Sequence, residues 1–352
     1  MADWLWLFKA LESNSFITFG GIILPNCNIT MDINETQKKL KEIENLDTNT
    51  LSVSDIIEII NPLLTGISFG TPLIDNNGSF YRAVKLDKKP EIFDDIIYPP
   101  TKYVTSFQRL NEPGCPVFYC SNSNHICVFE GRYKNGDVVT ISEWEVIEGK
   151  KLVTTNIGYT EHLKTWSKRE VPVWETKHDP LKGKTAEEIE KNKLILDFLS
   201  KIFCQNFDDE NNKYKLSIAI SNILGFNTES KNVFEKIGEQ KYRAGKDPME
   251  GIIYPSIIAE AKADNLAIRR FSFHEKMKFV CADYIRVIEV NENIFKFEEL
   301  DFSNEIDADK KIIWKGRRGN ILVPKDSPVK IIKTDENEFT ASRIDGGKLY
   351  RD

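Results

Sequence analysis

The spacing of apolar and polar positions changes several times along this chain, and each change marks an element. From Asn34 to Ile43, charged and apolar residues recur at helical spacing, which predicts a helix. Ser52 and Ser54 precede a second apolar run, where a side-chain oxygen can cap the first turn. That helix is expected to continue through Ile60 and to stop at Pro62. Residues 1–65 thus read as a mostly helical lead-in. Asn76-Asn77-Gly78 is turn chemistry, and Ser79 to Val84 behind it reads as a strand. Pro99-Pro100 breaks the chain. Val117 to Cys120 is an apolar strand, Ile126 to Glu130 fits a strand or the start of a helix, and Val138 to Ile147 alternates as a strand.

The middle of the chain changes character. Thr185 to Phe203 is amphipathic with an acidic first turn, Glu187-Glu188, which suits the positive end of a helix dipole. Tyr214 to Leu224 predicts a second helix ended by Gly225. Strand character resumes at Gly251-Ile252-Ile253-Tyr254-Pro255-Ser256 and at Asn265 to Ile268. It continues in Tyr284 to Val290, Lys311 to Lys315 and Val329 to Lys333. Strands on both sides of a helical stretch indicate an α+β fold, not a regular βαβ alternation. The chain contains neither GxGxxG nor GxxxxGK[ST], so a Rossmann dinucleotide fold and a P-loop are both unsupported.

Composition narrows the function classes. The 352 residues are 41% hydrophobic and 29% charged, ordinary for a globular protein, with a formal charge of -6 and a pI near 5.5. No excess of Lys and Arg is available to displace counterions, which argues against direct nucleic-acid binding. No run of about 18 apolar residues exists, so no membrane-spanning helix is expected. Met1 to Phe8 lacks the basic and apolar regions of a secretory signal, and Gly20 to Leu24 is too short to supply one. Six irregularly spaced cysteines read as reduced thiols, which makes a bacterial cytoplasm the expected compartment.

The densest candidate chemistry lies in Gln108-Arg109-Leu110-Asn111-Glu112-Pro113-Gly114-Cys115-Pro116-Val117-Phe118-Tyr119, followed by Glu130. Arg109 and Asn111 can hold an anion, and Pro113-Gly114 can turn the backbone so that N–H groups face a phosphate. A hairpin turn with an exposed arginine is the plain alternative. Arg82, among aromatic and apolar neighbours, can grip phosphate through two parallel hydrogen bonds or simply occupy the outer face of a strand. Glu130 ends an apolar run, where a carboxylate can stabilise developing positive charge; a glutamate in water is the alternative. Tyr119 can offer a ring face and a hydroxyl, or serve the core. Ser256 follows Pro255, which fixes its direction, but no histidine stands in triad context, so it reads as a hydrogen-bonding group and not a nucleophile. Cys115, Cys120, His125 and Cys127 lack CxxC spacing, so no metal is expected. Lys315-Gly316-Arg317-Arg318-Gly319 reads as an exposed turn, with a partner or nucleotide contact as the alternative.

Taken in order, several of these segments resemble the RES-domain family, named for its Arg, Glu and Ser. They are Phe80-Tyr81-Arg82-Ala83, Arg109 to Gly114, Val117-Phe118-Tyr119, Glu130 and Gly251 to Ser256. The likeness spans residues 79–275, with a helical extension at 1–78 and a β-rich extension at 276–352. It implies a compact ADP-ribosyltransferase-like mixed sheet with a helical insertion, and NAD+ as substrate with no further cofactor. It also implies a toxin or defence effector, typically beside an Xre-type antitoxin. By resemblance, Glu130 is the principal catalytic carboxylate, Arg82 and Arg109 bind the pyrophosphate and its ribose, and Tyr119 lines the nicotinamide side. Ser256 holds the ligand, while Tyr81, Asn111 and Gly114 shape the pocket. The expected activity is cleavage of the nicotinamide–ribose bond by hydrolysis or phosphorolysis. ADP-ribosyl transfer to a macromolecule is the alternative within the same site, and a non-catalytic nucleotide-binding module the alternative of another class.

Overall fold

The computed structural model describes residues 31–69, 72–76, 78–124, 126–157, 183–205, 211–226, 249–256, 264–290, 294–317 and 329–343. Expectations about the first 30 residues, His125, His162, His178, Arg318 and Gly319 lie outside these. Among the described residues are eleven strands in one mixed sheet and six α-helices, an α+β architecture. No described helix is long and apolar enough to cross a membrane.

Local sequence explains three of the six helix starts. α1 (Ile33–Glu44) and α2 (Val53–Leu64) open on capping boxes, in which Asp32 pairs with Glu35 and Ser52 with Asp55. Each box satisfies two otherwise orphaned N–H groups. α2 runs through Pro62 to Leu64, contrary to the expected stop. Proline in the last turn removes a single intrahelical donor, while Leu63 and Leu64 bury their side chains and hold the turn closed. α4 (Ala186–Cys204) starts on a third box, Thr185 with Glu188, and α5 (Tyr214–Ile223) is followed by Gly225 at φ +79°. The run Ile126–Glu130 is one helical turn, α3, with Ile126, Cys127, Val128 and Phe129 all buried. Side chains buried all round suit a turn of helix, because a strand would put alternate ones on opposite faces.

Seven of the strands are β1 (Leu73–Ile74), β2 (Ser79–Val84), β3 (Val117–Ser121), β4 (Val138–Val146), β5 (Leu152–Asn156), β6 (Gly251–Pro255) and β7 (Asp264–Arg269). β8 (Met277–Val290), β9 (Ile294–Ser303), β10 (Val329–Asp335) and β11 (Glu338–Arg343) follow, with the short helix α6 (Arg270–Lys276) between β7 and β8. The spatial order is β1-β5-β6-β7-β3-β2-β4-β8-β9-β11-β10. β5 and β6 pair in parallel, whereas β6–β7, β3–β7, β2–β4 and β4–β8 are antiparallel. Lys311 to Lys315, expected as a strand, makes only isolated bridges, Lys311 to Ile92 and Ile312 to Ile306. Its backbone donors are divided among separate partners, Glu91, Glu305 and Phe302, so no continuous ladder forms.

The pleat sorts side chains into separate cores. From β6 and β7, Ile252, Tyr254 and Ala267 join α1, α2, α4 and α5 in a helical layer. Ile253, Leu266 and Ile268 point the other way, into an aromatic core with Phe80, Phe118, Trp144 and Phe273. A third core lies at β2, β4, β8 and β9, where Tyr81, Val139, Ile141, Ile285, Phe295 and Phe297 enclose α3. The boundary expected at residue 275 marks no break in the sheet, because β8 pairs with β4 from Met277 to Arg286. Nor do α1 and α2 stand apart, since they share the helical layer with α4 and α5.

Candidate functional site

The sheet nearly divides between β2 and β3. β2 pairs with β4 over six residues and β3 with β7 over five, but β2 and β3 share the single pair Tyr81↔Ser121. Beyond it the strands diverge, and Arg82 fills the fork. Its Nε–H donates to the Ile97 carbonyl at 2.7 Å and Nη1 to the Tyr119 carbonyl at 2.9 Å. The guanidinium lies 5.6 Å from the Phe118 ring centroid. Side-chain donors thus do locally what a ladder would do elsewhere. Burial pulls the Arg82 guanidinium below its ordinary value, yet an arginine with two carbonyl acceptors stays charged. These two bonds occupy two of its five N–H donors.

A cavity of about 380 Å³ opens at this fork, lined by Arg82, Pro99, Val104, Asn111, Tyr119 and Glu130 among others. Its size falls at the low end of the usual ~300–1,000 Å³ range for ligand sites. Glu130 reaches the cavity from the end of α3, not from the end of a strand. Two donors converge on one of its oxygens: Ser256 Oγ–H on Oε1 at 2.6 Å and Asn265 Nδ2–H on the same Oε1 at 2.8 Å. Among the described residues no donor reaches Oε2. Ser256 is fully buried at the end of β6, so its hydroxyl serves the carboxylate.

The turn into α3 is locked to the strand that supplies Asn265. Asn122 N–H and Ser121 Oγ–H both donate to the Asp264 carbonyl, and Asp264 N–H donates to Asn122 Oδ1. Behind Glu130, a Cβ built on Gly131 would come within 2.3 Å of the Tyr133 ring. Glycine at 131 lets that ring seat directly against the backbone at the cavity's edge.

The remaining candidates occupy different positions. Tyr119 borders the cavity, but its hydroxyl is committed: it donates to Asn111 Oδ1 at 2.9 Å and accepts from Leu110 N–H at 2.9 Å. Burial raises its pKa far above the ordinary tyrosine value, so the phenol stays neutral. Asn111 is buried and braces Tyr119 from beneath the turn closed by the Gln108 and Asn111 backbone bonds. Gly114, at φ +81°, donates its N–H to the Val104 carbonyl at 2.7 Å, and Cys115 N–H goes to Glu112 O at 3.0 Å. These amides close the turn and are not presented to a ligand, which corrects the expected phosphate nest.

Arg109 turns toward the helical layer. Its Nη1 donates to the Phe203 carbonyl near the end of α4, and its guanidinium lies 5.8 Å and 5.5 Å from the Tyr214 and Tyr254 rings. Arg109 therefore lies apart from the cavity lining that contains Arg82. Tyr81 points into the core around α3 and donates to Glu143 Oε1 at 3.3 Å, because strand alternation puts it opposite Phe80 and Arg82. Asn265 reads from the sequence only as the start of a strand, with no role at the site. An isolated polar residue in a β-run is the only signal it leaves. Among the described residues no cluster of His, Cys, Asp and Glu is placed to hold a metal ion. Cys120 and Cys127 are buried, and burial pushes both thiols well above their ordinary range. In the basic turn, Lys315 pairs with Glu305 and Arg317 with Glu298.

No family model, curated protein or solved structure matches the chain.

Proposed function

We propose that the cavity between β2 and β3 binds NAD+ and that the protein breaks its nicotinamide–ribose bond, releasing ADP-ribose to water or phosphate. The observation that carries this reading is the Glu130 carboxylate, held by Ser256 and Asn265 through one oxygen at the edge of a cavity that Arg82 also lines. A site for simple anion binding gains nothing from a carboxylate held at its edge. A site that must stabilise an oxocarbenium-like ribose beside an anionic pyrophosphate, as neutral nicotinamide departs, calls for one charge of each sign.

Cleavage of the glycosidic bond develops oxocarbenium character at the ribose anomeric carbon while the pyrophosphate stays negative. Glu130 Oε2 is the group for the developing positive charge, its direction set before the substrate arrives, so little reorganisation is needed during bond breaking. Arg82 holds the phosphate side with the part of its fork not used by Ile97 and Tyr119. Tyr119 acts as a wall: its hydroxyl is occupied and its phenol neutral, so it carries no proton in the reaction. The cavity takes the reacting half of a dinucleotide and leaves the other half to its opening. Arg109, placed by α4 and α5, holds the turn beneath Tyr119 in this scheme and does not touch substrate.

This chemistry, and the ADP-ribosyltransferase-like fold and Xre-type antitoxin partnership that accompany it, follow from the motif order of the RES-domain resemblance. The test is incubation of the full chain with NAD+ alone. Repeated turnover with stoichiometric nicotinamide release is expected, and Glu130→Gln is expected to abolish it with an unchanged melting curve. Full activity in that variant would remove Glu130 from the reaction, and turnover only in the presence of a macromolecule would assign transfer in place of hydrolysis.

A further inference from the structure

The wall of the cavity opposite β3 belongs to the long connection after β2. It contributes Pro99 and Val104 to the lining and the Ile97 carbonyl to Arg82. Regular structure within it is limited to 3-10 turns at Phe93–Asp95 and Thr101–Tyr103. Turn bonds such as Ile96 N–H to Phe93 O and Val104 N–H to Thr101 O fix it only locally. α6 holds it beside Ile97, where Arg270 Nε–H donates to Tyr98 Oη, and its other anchors lie further along the chain.

Those anchors come from the C-terminal strands and the turn that follows them. Trp314 Nε1–H donates to the Pro90 carbonyl at 2.8 Å, Ile312 N–H to the Glu91 carbonyl at 2.8 Å, and Phe93 N–H to the Lys310 carbonyl at 2.8 Å. Lys89 is held three ways: by an ion pair with Asp301 of β9, by the Trp314 ring 4.5 Å from its Nζ, and by the Tyr284 ring at 5.6 Å. Asp301 is itself fixed, since its Oδ1 accepts from Phe302 N–H at 2.8 Å and Gly316 N–H at 2.6 Å. From this point the path to Arg82 is continuous. Phe93 O accepts from Ile96 N–H, and the carbonyl of the next residue, Ile97, accepts from Arg82 Nε–H.

We infer that β8, β9 and the turn through Trp314 act as a strut that positions the cavity wall. Lys89, Asp301 and Trp314 are then positioning residues that act through Ile97 on Arg82. The inference rests on the nucleotide reading of the cavity for its kinetic readout and on the hydrogen bonds alone for its structural one. A strut differs from ordinary packing in what its loss changes. Packing lowers the melting temperature and leaves the site as it was. A lost strut lets the wall and the Arg82 fork shift, which weakens the hold on substrate while Glu130, supported by Ser256 and Asn265 from β6 and β7, keeps its geometry.

The experiment uses the full chain with Trp314→Phe, which keeps a ring and removes the Nε1–H, and with Lys89→Met and Lys89→Arg. With NAD+ as substrate, Trp314→Phe and Lys89→Met are expected to raise KM about tenfold, the weight of roughly one hydrogen bond. In both, kcat is expected to stay within about threefold of the parent, and Lys89→Arg to bring KM back within about twofold, because it restores the cation between Asp301 and the rings. A wild-type KM in both folded variants would overturn the strut. A ligand-free measurement separates this failure from failure of the nucleotide reading. In Trp314→Phe, amide hydrogen exchange is expected to quicken at Ile96, Ile97 and Val104 and to stay unchanged along β4. If wild-type protein neither binds nor cleaves NAD+, the nucleotide reading falls while exchange still decides the strut; unchanged exchange at those amides overturns the strut on its own.

Discussion

Ser256→Ala tests the arrangement around Glu130 most directly. The substitution removes one oxygen from a fully buried site and with it the 2.6 Å bond to Glu130 Oε1, leaving Asn265 at 2.8 Å as the remaining donor to that oxygen. A hydrogen bond to a charged group contributes about 1.5–3 kcal/mol. The carboxylate is needed most when positive charge develops on the ribose, so that loss is expected to fall mainly on the transition state. At about 1.4 kcal/mol per tenfold, kcat should drop roughly 10- to 100-fold. KM should change little, because Arg82 and the wall are untouched. The assay is steady-state nicotinamide release under saturating NAD+. Asn265→Leu should produce a loss of the same order. The double variant should show less than the product of the two, because both donors serve one oxygen and do not act independently. A Ser256→Ala enzyme with parental kcat would refute the claim that preset direction of Glu130 matters to the chemistry.

Tyr119→Phe should lower stability by about 1–3 kcal/mol in chemical denaturation, because it leaves buried Asn111 Oδ1 and the Leu110 N–H without their shared partner, while nicotinamide release persists. General-acid use of this phenol predicts the opposite pattern, activity lost and stability kept. The two arginines should separate: Arg82→Ala is expected to weaken NAD+ affinity measured by calorimetry, whereas Arg109→Ala should lower the melting temperature through the loss of its contacts to Phe203, Tyr214 and Tyr254. Equal effects on affinity would return Arg109 to the binding site. His274 supplies a pH prediction. Partial desolvation of this exposed ring, then the charges of Arg270 and Lys310, hold its pKa below the ordinary histidine value, against an opposing pull from Asp94, while its Nε2 is hydrogen-bonded to Tyr98 Oη. The unfolded chain then binds more protons between the depressed value and about 6.5, so stability is complete above about 6.5 and is lost as pH falls through the folded value. His274→Gln should flatten that part of the stability–pH curve; an unchanged slope would assign it to other groups.

Much of the secondary structure was legible because its causes are local. Thr185 with Glu188 starts α4 through two reciprocal bonds within four residues, and Ser79–Val84 follows turn chemistry as a short strand with Phe80 and Tyr81 buried on opposite faces. The errors occur where a distant partner decides. Pro62 stays inside α2 because Leu63 and Leu64 are buried beyond it. Lys311 to Lys315 forms no strand because its backbone bonds are split among Glu91, Glu305, Asp307 and Phe302 and never run along one neighbour. Arg109 carries the same charge as Arg82 and lies in the densest polar motif, yet the end of α4 claims it.

The chain by itself determined an α+β protein, the identity of most helices and strands, and most of the polar residues around the cavity, Asn265 excepted, because capping, alternation and turn chemistry act over a few residues. Tertiary structure alone decided which of those residues meet. The fork between β2 and β3, the junction of Glu130 with Ser256 and Asn265 across more than a hundred residues, and the C-terminal strut behind Ile97 all depend on strand order. Strand order is set by which buried faces can be covered together, a property of the whole core that no local stretch of sequence carries.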